Sequence, residues 1–349
     1  MAGMSSDGKV QPRAAVTLSD VARLAGVAPM TVSRFLNQPD TVREATRLKV
    51  RKAIEQTGYV HNRLAGALKS SRTRLVAVVV PMVTNPIFSD SFQAINERLA
   101  KAGYQVLLGV SGYQSEQEQE LLEVILSRRP DGIILTGTLH TPTSRNRLRA
   151  AGVPVVETWD LTAEPIDMLV GFSHEQAGRE VAQHLVSQGY RQFTLLEVDD
   201  PRGLRRADSF IRTLAEQGIT EVPRQTWQGL PTLEQGRQGL TALLAHHKPS
   251  PETPWVVVCT SDTIAHGVLT EAAARGIQVP EQLAVMGFGD MSFAAHTFPA
   301  LSTVKVDGTL MGEMAARMLL DRLKGQDDSP KTLDIGFRLV QRDTTTALL

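Results

Sequence analysis

From residue 75 onward, short unbroken apolar runs alternate with longer stretches whose apolar positions recur every three or four residues. The run LVAVVVP that starts at Leu75 is apolar throughout, the pattern of a strand covered on both faces. The same reading predicts strands at 105–110, 132–136 and 153–157 in one set with it, and at 192–198, 255–260 and 283–287 in a second. Helices are predicted between them, among them 116–127, 175–188, 205–217 and 263–275, several closed by a glycine. Such alternation builds parallel sheets with helices on both faces, and about 275 residues are too many for one such core. The expected fold is therefore α/β, with two doubly wound parallel-sheet subdomains. A ligand would sit in the cleft between them, beyond the carboxyl ends of the strands.

The first part of the chain carries a different pattern. In TLSDVARLAGVAPMTVSRFLN, Thr17 and Asp20 are spaced as a capping box, Val21, Ala22 and Leu24 supply an apolar face, and Gly26 permits a sharp turn. Pro29 suits the first position of a second helix, where its missing N–H would be unpaired anyway. Val32, Phe35 and Leu36 then point inward, leaving Met30, Thr31, Ser33 and Arg34 outside. Thr41 and Glu44 are spaced as another capping box, predicting a third helix through Val50, Ala53 and Ile54 to a stop at Gly58. The result is a small all-α helix-turn-helix headpiece, whose second helix is built to enter a DNA major groove.

Charge distribution points to the same partner. The chain is neutral overall, with 37 basic and 37 acidic residues, yet residues 1–74 hold 13 Lys and Arg against 5 Asp and Glu. A basic surface alone is often only a solvated face. Joined to a helix-turn-helix, it is the electrostatic footprint of a nucleic-acid reader.

TLSDVARLAGV, TVSRFLN and Gly58-Tyr59 followed by Asn62-Arg63 resemble the headpiece of the LacI/GalR repressor family, and the resemblance runs to near the C-terminus. Within that family, MTVSRFLN, PVVE at Pro154, VGF at Val170 and DIGF at Asp334 are similar to gluconate-operon repressors. The resemblance implies a division into a disordered arm at 1–15, a DNA-binding domain at 16–60, a hinge helix and linker at 61–74, and an effector-binding and dimerisation core at 75–349. It also places Arg34 on a guanine edge and Met30 on a thymine methyl, with Thr17, Thr31, Ser33 and Asn37 on phosphates and Pro29 in an apolar contact. Ala28 stands where relatives often have a capping serine, which forfeits about 1 kcal/mol. In NRLAGAL, Asn62 opens the hinge helix and Leu68 is its minor-groove wedge. His61 in place of a proline, and Gly66, imply a hinge that relies on DNA for order.

The core resembles periplasmic sugar-binding proteins, which places Asn85, Phe88, Glu157, Phe172, Arg206 and Asp262 around an effector, with Phe288 as a further wall and Asp160 competing with Glu157 for one role. An arginine holds a carboxylate by its fork, and carboxylates and amides take hydroxyls. The implied effector is gluconate or a phosphorylated or keto relative. A single headpiece makes too few contacts for tight binding, so a homodimer on palindromic double-stranded operator DNA is expected. The segment 331–349 shows no heptads for a further coil. The reading leaves open a different sugar effector or corepression, and more remotely a sugar-binding protein without a DNA role.

Nothing in the motifs assembles a catalytic site. The sole cysteine, Cys259, lies in an apolar strand and reads as inert core, and no phosphate-cradling glycine loop is present. His174-Glu175 lacks the second histidine of a zinc helix, so no metal or cofactor is expected. Residues 1–15 do not read as a signal peptide, and no apolar run approaches a membrane span. The expected location is the cytoplasm, on the nucleoid, and the expected class is a non-enzymatic regulator.

Overall fold

A computed structural model describes residues 16–60, 72–83, 86–326 and 330–346. The arm at 1–15, the hinge residues His61, Asn62, Gly66 and Leu68, and Asn85 lie outside the described residues. The contacts divide the chain into two compact units, Met1–Thr73 and Arg74–Leu349.

The first unit holds α1 (Leu18–Ala25), α2 (Pro29–Asn37) and α3 (Glu44–Thr57). Thr17 and Asp20 form the reciprocal capping box, and Gly26 ends α1 in the left-handed conformation at φ +66°. Pro29 opens α2, and Ala28 makes no side-chain cap bond. Val21, Ala22, Ala25, Val32, Val50 and Ala53 form the core, with Phe35, Leu36 and Ile54 packed around it.

Two expectations fail in this unit. Leu24 is 53% exposed and Ala25 takes the inward position, because the buried stripe of α1 follows Leu18, Val21, Ala22 and Ala25. Thr41 does not cap α3, which starts from Arg43 with no side-chain cap. Pro39–Thr41 forms a 3₁₀ turn instead, and the Thr41 hydroxyl donates to the Gln38 carbonyl at 2.7 Å.

The second unit contains two parallel sheets. The first has the order β11-β5-β4-β3-β1-β2, built from β1 (Leu75–Val80), β2 (Gln105–Val110), β3 (Gly132–Thr136), β4 (Val155–Thr158), β5 (Met168–Gly171) and β11 (Thr332–Asp334). The second has the order β7-β6-β8-β9, built from β6 (Gln192–Val198), β7 (Arg224–Trp227), β8 (Trp255–Cys259) and β9 (Leu283–Met286). β10 (Thr303–Lys305) pairs antiparallel with β12 (Arg338–Val340). The two doubly wound parallel-sheet subdomains are therefore present. The chain crosses between them after β5, returns after β10 to add the helix Gly308–Leu323 and β11 to the first, and crosses again to β12.

Strand β4 begins two residues later than expected, because Gly152 closes the preceding helix at φ +65° and Pro154 intervenes. The helices His174–Ser187 and Pro201–Glu216 pack together so tightly that a Cβ on Gly178 would lie 2.1 Å from the Arg206 carbonyl oxygen. Gly178→Ala should therefore lower stability by about 1–3 kcal/mol through overpacking, against a helix-propensity gain of up to about 1 kcal/mol. A thermal melt of the variant equal to or above wild type would contradict this packing.

Candidate functional site

On the headpiece, α2 turns Pro29, Met30, Arg34 and Asn37 outward, with Thr31 and Ser33 half-buried beside them. Met30 is 61% exposed, an apolar side chain whose only covering in the unit would come from a partner. Arg34 is exposed and has no ion-pair partner among the described residues. Thr17 lies at the start of α1 with its hydroxyl engaged by Asp20, and the Asn37 amide nitrogen donates to the Ser33 carbonyl at 2.8 Å. The arrangement presents one forked cation and one apolar tip on a single helix face.

In the second unit, a cavity lies at the carboxyl ends of β4, β5, β6, β8 and β9. Trp159, in the left-handed region at φ +66°, follows β4 and donates its ring N–H to Ser91 Oγ at 3.3 Å. Its ring meets Phe88 edge-on with centroids 5.3 Å apart. Phe172, beyond β5, stacks on Phe288 at 6.2 Å. These rings offer apolar faces.

Two arginines of the cavity wall, Arg202 and Arg206, come from the N-terminal part of the helix Pro201–Glu216. Arg206 Nη1 donates to His174 Nδ1 at 2.9 Å, Nη2 donates to the Thr260 carbonyl at 3.1 Å, and the guanidinium lies 3.5 Å from the Phe288 ring centroid. His174 Nε2 lies 2.8 Å from the Trp159 carbonyl, an obligate acceptor, so Nε2 carries the proton and Nδ1 is the lone pair that receives Arg206. Burial, and after it the Arg206 charge, hold the His174 pKa well below the usual histidine value, so the ring stays neutral. Burial also lowers the Arg206 pKa to about 10, which leaves the side chain charged at neutral pH. Its hydrogen-bond partners are neutral.

Phe88, Phe172 and Arg206 are thus brought to one cavity, and two other expected residues are not. Glu157 is fully buried within β4, where its carboxylate accepts the Ile166 N–H at 2.5 Å and lies 3.4 Å from His140 Nε2. Asp160, the competing carboxylate, instead accepts Arg205 Nη1 at 2.9 and 3.1 Å and Thr138 Oγ1 at 2.8 Å, pairing the arginine helix with the end of β4. Asp262 is also fully buried, accepting the Met291 N–H at 2.8 Å and the Thr303 hydroxyl at 2.6 Å. Burial raises its pKa to about 6, and Ser261 rather than Asp262 caps the following helix. Asp262 therefore holds the loop that carries Phe288 and Met291. The sequence reading missed His174 and Arg202 as cavity residues, although Arg202 and Arg206 sit at i and i+4 and so share a helix face.

Residues 17–62 match the family described as bacterial regulatory proteins, lacI family, and residues 182–345 match the periplasmic binding protein-like domain. The chain is 36% identical over 331 residues to the HTH-type transcriptional regulator GntR of Pseudomonas aeruginosa, covering 94% of this chain and 95% of that one. The chain belongs to the LacI family. Among solved LacI-family structures, a transcriptional regulator from Silicibacter pomeroyi superposes with a TM-score of 0.87 at 34% identity, covering 94% of this chain and 99% of that one. The lac repressor dimer bound to operator and the anti-inducer ONPF gives 0.76 at 26% identity, covering 95% and 100%. As a LacI-family protein the chain is a sequence-specific DNA-binding transcriptional regulator. Among the described residues no helix is long and apolar enough to cross a membrane, and no cluster is placed to hold a metal ion.

Beside the cavity, the His140 ring is sealed between two buried carboxylates, with Nδ1 2.5 Å from Glu118 and Nε2 3.4 Å from Glu157. Burial pulls its pKa down, but the hydrogen bonds and charges of Glu118 and Glu157 outweigh burial and raise it to about 9 from 6.5. Because the folded value is the higher one, the stabilisation is full below pH 6.5 and is lost as pH rises through about 9. It amounts to about 3 kcal/mol. Urea titrations at pH 6 and pH 9.5 should show a larger loss of stability for wild type than for Glu118→Gln. Equal losses would mean the ring is uncharged in the folded protein.

Proposed function

We propose that this LacI-family regulator is a repressor of sugar-acid catabolism whose operator complex is released by gluconate or a phosphorylated or keto relative. The observation that carries the reading is the Arg206 guanidinium, buried in a cavity with neutral hydrogen-bond partners while aromatic rings wall the same space. A carboxylate supplies the missing charge partner, and the C–H faces of a polyol chain suit the rings. The similarity to gluconate-operon repressors in the motifs at Met30, Pro154 and Asp334 supports the same chemistry.

In this proposal the domains are an arm at 1–15, a reader at 16–60, a hinge and linker at 61–74, and a core at 75–349 that joins two copies. The partner is a palindromic operator in the cytoplasm, on the nucleoid. Arg34 reads a guanine, Met30 lies on a thymine methyl, Pro29 makes an apolar contact, and Thr31, Ser33 and Asn37 position phosphates. Thr17 would reach phosphate from its capped position, and Asn62 and Leu68 belong to the hinge that wedges the minor groove. Asn85 and Phe88 contribute to the effector site. Linkage supplies the release: an acid that binds better to the core geometry disfavoured on operator weakens DNA binding, with couplings of about 1–3 kcal/mol typical.

A gel-shift assay on the DNA upstream of the protein's own gene, titrated with gluconate, 6-phosphogluconate, 2-ketogluconate and ribose, tests this reading. An acid should dissolve the complex, and ribose should not. Tightening by the acid would make it a corepressor, and no response to any acid would sink the effector assignment. Arg34→Ala should weaken specific binding by about 1–3 kcal/mol, with little change on random duplex. The Arg206→Ala complex should persist at acid concentrations that dissolve the wild-type complex. A normal response in that variant would move the effector elsewhere.

A further inference from the structure

Arg202 lies one helical turn before Arg206, and the i, i+4 spacing puts both residues on the helix face that lines the cavity. Arg202 is 7% exposed, and its Nη1 atom is buried with no hydrogen-bond partner among the described residues. Its Nε donates to Asp200 Oδ1 at 3.2 Å, and its guanidinium carbon lies 5.4 Å from the Phe88 ring centroid and 5.7 Å from that of Tyr113. Asp200 is also the cap of the helix, accepting the Gly203 N–H at 3.1 Å. Asp200 bonds Arg202 directly and Asp160 is bonded to Arg205, so neither carboxylate is hydrogen-bonded to Arg206.

A second atom on the same wall is also unsatisfied. Thr260 Oγ1 is buried without a partner, while the carbonyl of the same residue accepts from Arg206. Buried donors are left unpaired only at a cost of about 1–3 kcal/mol, and more for charged groups. Two like charges one turn apart, an idle charged donor and an idle hydroxyl together make a wall suited to an anion that carries further oxygens.

We infer that Arg202 is the second arm of an anion clamp, closing with Arg206 on the carboxylate of the effector, and that it makes the cavity prefer an acid to the neutral polyol of the same length. The inference rests on the proposal that a sugar acid occupies this cavity, and it adds a residue and a selectivity to it. The carboxylate receives Nη1 of Arg202 on one side and the Arg206 fork on the other. Its α-hydroxyl falls to Thr260 Oγ1. The positive end of the helix Pro201–Glu216 adds to the attraction.

Calorimetry on the full-length protein tests the clamp, using gluconate, the neutral hexitol glucitol, and inorganic phosphate as three separate probes. Wild type should bind gluconate far more tightly than glucitol. Arg202→Gln should lose roughly tenfold to a hundredfold for gluconate, the range for a hydrogen bond to a charged group, with glucitol changed less than about threefold, so that the preference collapses. Arg202→Lys, which keeps the charge without the fork, should recover part of it. A gluconate-to-glucitol ratio in Arg202→Gln equal to wild type overturns the inference, even if both affinities fall, because that is how a merely structural arginine behaves. Phosphate binding that depends on Arg202, with no gluconate binding, keeps the clamp and sinks the sugar-acid reading. Binding of neither anion, or phosphate binding indifferent to Arg202, overturns the clamp.

Discussion

A guanidinium taken out of water without a carboxylate beside it must be held by neutral acceptors, and the second unit is organised around that requirement at Arg206. The acceptors are His174 Nδ1 and the Thr260 carbonyl. His174 can accept only because its proton is fixed on the other nitrogen by the Trp159 carbonyl, and Trp159 presents that carbonyl from a left-handed conformation. The missing side chain at Gly178 lets the helix His174–Ser187 approach the Arg206 backbone itself. A loop from the first subdomain and two helices of the second are thereby fixed by one side chain.

The same helix joins the two subdomains. Arg205 reaches Asp160 at the end of β4 in the first sheet, while Arg206 stays with residues that follow β5 and β8. Because the chain crosses between the sheets only through the segments after β5, β10 and β11, these segments and the arginine helix carry any change of angle between them. In the proposed site a ligand would bond to one turn of that helix and to rings from both subdomains, so its contacts would change with the angle between them. Differential contact is all that linkage requires.

Much of this fold was legible in the sequence because it rests on local rules. Apolar-rich segments between turn signals marked β1, β2, β3 and β6 to the residue, and Thr17, Gly26 and Pro29 announced the headpiece helices through caps and backbone conformation. The short strands β5, β7, β10, β11 and β12 were not, and each is held in place by a neighbouring strand. Thr41 and Leu24 misled for a related reason: spacing suggested a cap and an apolar face, and a 3₁₀ turn and a narrower stripe took precedence. Arg206 was found. Glu157 and Asp262 were misplaced because a carboxylate at a strand end looks the same whether it faces a ligand or a partner distant in sequence, such as His140 or Thr303.

Several buried carboxylates of the second unit close their hydrogen bonds among the protein's own groups. Glu197, Asp160 and Asp262 are all buried, and each has its donors: Arg224 and Thr226, Arg205 and Thr138, Met291 and Thr303. Those carboxylates have no need of a ligand. Arg202 Nη1 and Thr260 Oγ1, on one wall of one cavity, have no such closure. In the proposed clamp an anion would gain two charge-assisted contacts without displacing an existing pair, so binding energy would go into occupancy and not into breaking a salt bridge.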